Sequence, residues 1–232
     1  MRADPFQVLL VAGATGVLGN EVVRRFAGSA RFSHALVLAR ETIATGLRGV
    51  ATVVVPPEVD GNWPMVRAVT GVILFEPPRM FYGRERALWT PRPDQLPALA
   101  AWMRRCGVTT LAVVLPHEQG RLPDALKRGL AGMDEQAVSA LGFERLLFVR
   151  SASKPGAAPA GRFLARAAHA MLSVLRYMIP SSEQPVRAVK ISEFLAVALA
   201  LAPPGIHVAA PETVWRAAQG DMHAAVAQWL GV

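Results

Sequence analysis

The sequence predicts a three-layer α/β fold, a single domain built on a doubly wound parallel sheet, and three observations carry that reading. Runs rich in Val, Leu and Ile recur along the chain, they do not alternate with polar residues, and segments of helical period separate them. A short strand without alternation is buried on both faces, the condition of a strand inside a parallel sheet covered by helices above and below. Strands that take turns with helices define the α/β class. At 232 residues, 52% hydrophobic and 18% charged, the chain has the size and balance of one such globular domain.

The strands are expected at Gln7–Ala12, Ala35–Ala39, Val50–Val55, Gly71–Phe75, Thr109–Leu115, Arg145–Val149 and, from a less apolar run, Ile206–Ala209. Helices are expected at Val17–Ala27, Asp94–Cys106, Pro123–Leu141, Ala160–Met178 and Ser192–Leu201, with Gly107 and Gly142 as stops. Only Arg40–Gly49 joins the second strand to the third, too little for a full crossover helix, so a loop or single turn is expected there. The Pro-rich stretch Glu76–Pro97 reads as a long loop beside the site. In Arg162–Met178 the apolar residues Phe163, Leu164, Ala167, Ala168, Met171, Leu172, Leu175 and Met178 share one helical face. Arg162, Arg166, His169, Ser173 and Arg176 share the other. Such a stripe covers a domain core or docks a partner. Within the single domain, residues 1–150 are expected to form the ligand-binding core and 151–232 a C-terminal, helical, substrate-side portion.

A net charge of +8 invites a polyanionic partner, but the arginines are spread in pairs such as Arg24-Arg25 and Arg104-Arg105 with no long basic run. Nucleic acid is therefore not the expected ligand, since its affinity comes from clustered cations. The single cysteine, Cys106, has no internal disulfide partner and is expected to be a buried thiol in a reducing compartment. No leader pattern is visible, and the apolar stretch Phe194–Ala202 is too short to span a bilayer as a helix, so a cytoplasmic protein is expected. His34, His117, His169, His207 and His223 show no metal-ligand spacing, and neither a Gly-x-Ser-x-Gly elbow nor a Gly-Lys-Ser/Thr phosphate loop occurs.

One motif carries chemistry. Val8–Ala12 is an apolar strand, Gly13-Ala14-Thr15-Gly16-Val17-Leu18-Gly19 a glycine turn, and a helix of apolar period follows. Gly13 permits a tight exit from the strand, Gly16 clears the place where backbone approaches a pyrophosphate, and Gly19 lets helix and sheet pack closely. The helix N-terminus then offers unpaired N–H groups and the positive end of its dipole to phosphate. Strand, turn and helix together predict a Rossmann-like dinucleotide site.

The Gly-Ala-Thr-Gly-Val-Leu-Gly spacing resembles that of extended and atypical short-chain dehydrogenases/reductases. The order and length of the segments around Phe32–Arg40, Asp134–Arg150 and Val186–Leu199 are similar to the small branch of Tat-interacting oxidoreductases and nucleoside-diphosphate-sugar epimerase-like proteins. The resemblance covers most of residues 6–202 and implies an NAD(P)-dependent oxidoreductase or epimerase-like protein. At the end of the second strand an acidic residue would bind the ribose diol of NAD, whereas an arginine pairs with the 2′-phosphate of NADP. Arg40 stands there, followed by Glu41, which favours NADP(H) over NAD(H).

The resemblance also implies a Tyr-x-x-x-Lys pair and a Ser or Thr at the fifth strand, and the chain has none of these in place. Its two tyrosines are Tyr82, with Arg86 at the fourth place, and Tyr177, with Ser181. Alignment by position puts Lys127 and Ala131 where the pair would be and Leu115-Pro116 at the Ser/Thr position. At the fourth strand Leu74-Phe75-Glu76-Pro77-Pro78 replaces the small residues that border the nicotinamide ribose. His117, Lys127 and Tyr82 are the candidates for a substitute acid or base; the simpler readings are a solvated loop histidine, a helix-surface lysine and a tyrosine packing its ring on the loop. Two functions thus stand side by side: a nicotinamide-dependent enzyme acting on a small-molecule substrate, and a non-catalytic NADP(H)-sensing or scaffold protein acting through a partner.

Overall fold

The computed structural model describes residues 7–43, 46–59, 63–79, 82–117, 134–152 and 186–232, with the side chains of 116, 117, 151 and 152 left aside. Seven strands form one sheet: β1 Val8–Ala12, β2 His34–Ala39, β3 Val50–Val54, β4 Thr70–Leu74, β5 Thr110–His117, β6 Arg145–Ala152 and β7 Gly205–Ala209. Every pairing is parallel and the order is β3-β2-β1-β4-β5-β6-β7. The strand order reverses between β1 and β4, and it is outside the carboxyl ends of these strands that a doubly wound sheet opens its ligand crevice.

The central strand shows why the sequence folds this way. Leu9 and Val11 enter one hydrophobic layer, Leu10 and Ala12 the other, and all four are fully buried. On the first face lie α1 (Gly16–Ala27), α5 (Ala188–Leu201), α6 (Pro211–Gln219) and α7 (Met222–Leu230). On the second lies α3 (Leu96–Arg105), with α4 (residues 134–139) contributing Val138. A four-residue helix, α2 (Gly83–Arg86), and a 3-10 turn at Pro93–Gln95 stand in the connection between β4 and α3.

All seven predicted strands are present within a few residues of their expected ends. The β2–β3 connection contains no helix among its described residues. Three expectations need correction. The stretch Glu76–Pro97 is no plain loop, since it holds α2 and the 3-10 turn; α5 begins at Ala188, four residues before Ser192; and the C-terminal portion, expected to be helical, holds two helices, α6 and α7, that were not placed individually. α7 buries only Met222 and Val226 and has a weak apolar period, whereas α6, which buries Val214 and Ala217, is strongly amphipathic. Their boundary signals were nevertheless in place. Pro211 opens α6, Asp221 caps α7 by accepting from the backbone N–H of His223 and Ala224, and Gly231 ends it at φ +73°. The helix expected at Ala160–Met178, with its amphipathic part Arg162–Met178, and most of that expected at Pro123–Leu141 lie outside the described residues.

Candidate functional site

Residues Gly13 to Gly19 form the turn that the sequence predicts, at the carboxyl end of β1. Gly13 has φ +80° and Gly16 φ +71°, left-handed values that favour glycine. A Cβ on Gly13 would fall onto the carbonyl of Leu74 in β4, and one on Gly19 onto the backbone of Ala14. The glycines therefore allow β1, β4 and α1 to meet without side chains between them. Ala14 and Thr15 are buried, whereas Val17 is exposed.

Thr15 occupies the cap position of α1 without capping it. Its hydroxyl instead donates to the carbonyl of Glu76 at 2.5 Å and lies 3.1 Å from the hydroxyl of Thr90. The amides of the first turn, unpaired in any helix, are thereby left to other acceptors. Two carboxylates take them. Leu18 N–H donates to Oε2 of Glu76 at 2.6 Å, and Gly16 N–H donates to Oε2 of Glu85 at 3.0 Å. The side chain of Glu76 fills the space that the missing Gly16 Cβ leaves open.

Glu85, in α2, is 4% exposed, and a carboxylate so buried must be met by donors or neutralised. Donors surround it. Oε2 also accepts from the backbone N–H of Arg79 at 2.8 Å; Oε1 accepts from Asn20 Nδ2 at 2.8 Å, from Nε of Arg79 at 2.7 Å and from Nη2 of the same guanidinium. Burial pushes the Glu85 carboxyl up, but the hydrogen bonds from the Arg79 side chain and backbone and from Gly16 outweigh it and hold the group below the usual range. The same pairing with Glu85 raises Arg79. The guanidinium is fixed from its other side by the ring of Tyr82, whose centroid lies 3.7 Å from Cζ.

The backbone beyond α2 completes the closure. Ala87 accepts from the N–H of Arg40 at 2.7 Å, Leu88 forms an antiparallel bridge with Ala39, Trp89 donates to the carbonyl of Leu38 at 3.0 Å and accepts from the N–H of Gly13 at 3.3 Å. Residues 87–89 thus cross the carboxyl ends of β2 and β1. The crossing is anchored in the core: Trp89 is 1% exposed, packs edge-on against Trp63 at 5.0 Å and donates its indole N–H to Pro57, while Trp63 packs in turn on Trp102.

The sequence-predicted residues are distributed as follows. Gly13, Ala14, Thr15, Gly16, Val17, Leu18 and Gly19 come together, and Arg40 is exposed beside the crossing segment. Tyr82 is half exposed and serves as the platform of Arg79. His117 is the last residue of β5, opposite Ala152 of β6, at the carboxyl edge of the sheet; Lys127 lies outside the described residues. Cys106 is buried behind α3, where burial pushes its thiol up. Glu76 was visible in the sequence as an acid where small residues were expected. Asn20, which already donates to the Gly16 carbonyl inside α1, Arg79 and Glu85 had no such signal, because Asn20 and Arg79 meet Glu85 only after α2 has folded back on the turn. Among the described residues no cluster of His, Cys, Asp or Glu could hold a metal ion, and no helix is long and apolar enough to cross a membrane.

Sheet order and glycine turn give the chain the plan of a Rossmann-like, doubly wound α/β fold. No family model and no curated protein sequence matches the chain. Solved structures similar to it include a nucleoside-diphosphate-sugar epimerase from Staphylococcus aureus, 15% identical, covering 83% of this chain and 66% of that one with a TM-score of 0.49. MoeE5 in complex with UDP-glucuronic acid and NAD is 14% identical, covering 87% and 75% with a TM-score of 0.48. The Bordetella bronchiseptica enzyme WbmH in complex with NAD+ is 11% identical, covering 91% and 79% with a TM-score of 0.45. At these identities the likeness is one of fold.

Proposed function

We propose that the chain is a non-catalytic protein of the NAD(P)-binding Rossmann type, whose dinucleotide crevice is closed by its own residues and which acts through a partner. The observation that carries this reading is the pair of carboxylates, Glu76 and Glu85, on the amides of Leu18 and Gly16, where the pyrophosphate of a dinucleotide would sit. A dianionic linkage cannot share those amides with two carboxylates. It would have to displace both and leave Arg79 without its partner. The absence of a Tyr-x-x-x-Lys pair from the whole sequence supports the same reading. Where a dinucleotide does displace the carboxylates, Arg40, exposed at the end of β2, favours NADP(H) over NAD(H) by pairing with the 2′-phosphate. In this reading residues 1–150 are the nucleotide-type core and 151–232 the portion that faces substrate or partner.

The test is hydride transfer. Purified protein with NADPH or NADH and a panel of carbonyl compounds and nucleotide sugars is expected to show no oxidation above the protein-free rate. Sustained turnover on any of them would overturn the reading. A second reading, an enzyme with a substitute acid or base, is favoured by the place of His117 at the carboxyl edge of β5. It requires turnover in that panel and its loss in His117→Ala.

A further inference from the structure

We propose that Glu85 is a built-in competitor for phosphate at the first turn of α1, and that Arg79 is the cation it keeps occupied. The proposal rests on the closed crevice described above and deepens it, by naming what holds the crevice shut and what kind of ligand would replace it.

Donors from three separate parts of the chain converge on the Glu85 carboxylate: Gly16 N–H from the turn, Asn20 Nδ2 from α1, and the backbone and guanidinium N–H groups of Arg79 from the β4–α2 connection. Their distances, 2.7 to 3.0 Å, are those of fully formed hydrogen bonds. A phosphate group presents at least as many anionic oxygens to the same donors, and the guanidinium fork fits carboxylate and phosphate alike. Arg79 and Glu85 are six residues apart. The carboxylate is therefore tethered beside its donors at high effective concentration, while a free phosphate must compete from bulk solution. The structure also explains why the donors stay poised when Glu85 is removed. Gly16 and Asn20 belong to α1, a twelve-residue helix, and Arg79 is held from its outer side by the Tyr82 ring. Glu76, on Leu18 N–H, is the second acid of the closure and would remain.

The experiment removes the tethered acid and offers an untethered anion. Thermal melting of wild type, Glu85→Ala and Glu85→Ala/Arg79→Leu is followed in chloride, inorganic phosphate and pyrophosphate at equal ionic strength. The wild type is expected to melt at the same temperature in all three. Glu85→Ala is expected to melt lower in chloride and to regain about 3–5 °C in phosphate or pyrophosphate at roughly ten times the dissociation constant. The double variant is expected to gain nothing. Equal melting of Glu85→Ala in all three salts would overturn the proposal, and so would a wild type that gains as much as the variant. Should Glu85→Ala fail to fold, the near-isosteric Glu85→Gln takes its place, with pyrophosphate binding read by calorimetry; saturable heat supports the proposal and its absence overturns it. The result is independent of catalysis. Hydride turnover by the wild type would sink the non-catalytic reading and leave this titration untouched, whereas a salt-blind variant would sink the competitor and leave non-catalysis standing.

Discussion

Replacing Gly13 by alanine is expected to destabilise the protein by about 2–5 kcal/mol. Two costs add. The backbone at φ +80° costs an L-residue roughly 1–2 kcal/mol, and the new Cβ would meet the Leu74 carbonyl, a backbone atom of the adjacent strand that can move only by distorting the β1–β4 pairing, an overpacking cost of about 1–3 kcal/mol. Against a total stability of about 5–15 kcal/mol for a domain, such a loss leaves much of the chain unfolded at elevated temperature. Urea denaturation followed by far-UV circular dichroism measures it. A midpoint unchanged from the wild type would mean that β1 and β4 do not approach as closely as described. The turn is thus a structural necessity here whether or not any nucleotide binds, and a glycine motif alone cannot separate the two roles.

Trp89→Ala is the second large effect, at about 3–5 kcal/mol by the usual cost of emptying an aromatic core position. Trp89 is buried between Trp63 and the sheet, and the cavity would lie directly beneath the segment that crosses β1 and β2. The consequence reaches the site, because residues 87–89 hold the amides of Gly13 and Arg40. Trp89→Phe keeps most of the ring and loses mainly the hydrogen bond to Pro57, a change of about 1 kcal/mol. Hydrogen exchange of the Gly13 and Arg40 amides distinguishes the two variants. Both amides are expected to exchange faster in Trp89→Ala and near the wild-type rate in Trp89→Phe; equal rates in all three proteins would show that the crossing segment is held by something other than its tryptophan.

The parts of the molecule legible in the sequence are those written in local, repeating patterns. Leu9-Leu10-Val11-Ala12 is apolar at every position because both faces are covered, and the same holds for Val72-Ile73-Leu74 and Ala112-Val113-Val114, so the strands could be read one by one. The glycine turn was legible because three glycines at fixed spacing follow a strand and open a helix. The closure was not. It joins Leu18 to Glu76 and Gly16 to Glu85, pairs 58 and 69 residues apart, and a carboxylate that accepts from a backbone amide leaves no period or spacing behind. Glu76 stood out as an acid where small residues were expected, but Glu85 carries no mark of its own, and only the fold shows that α2 turns it inward to 4% exposure. Arg79 and Asn20 were hidden for the same reason. What the sequence read as an open phosphate cradle is, in the folded chain, a cradle already holding two anionic groups of the protein itself.

Calorimetric titration of NADPH into the wild type and into Glu76→Gln/Glu85→Gln tests the closed crevice most directly. A closed crevice predicts that the substituted protein binds at least about tenfold more tightly than the wild type, a difference of roughly 1.4 kcal/mol. Tight saturable binding by the wild type, unaltered by the two substitutions, would contradict it.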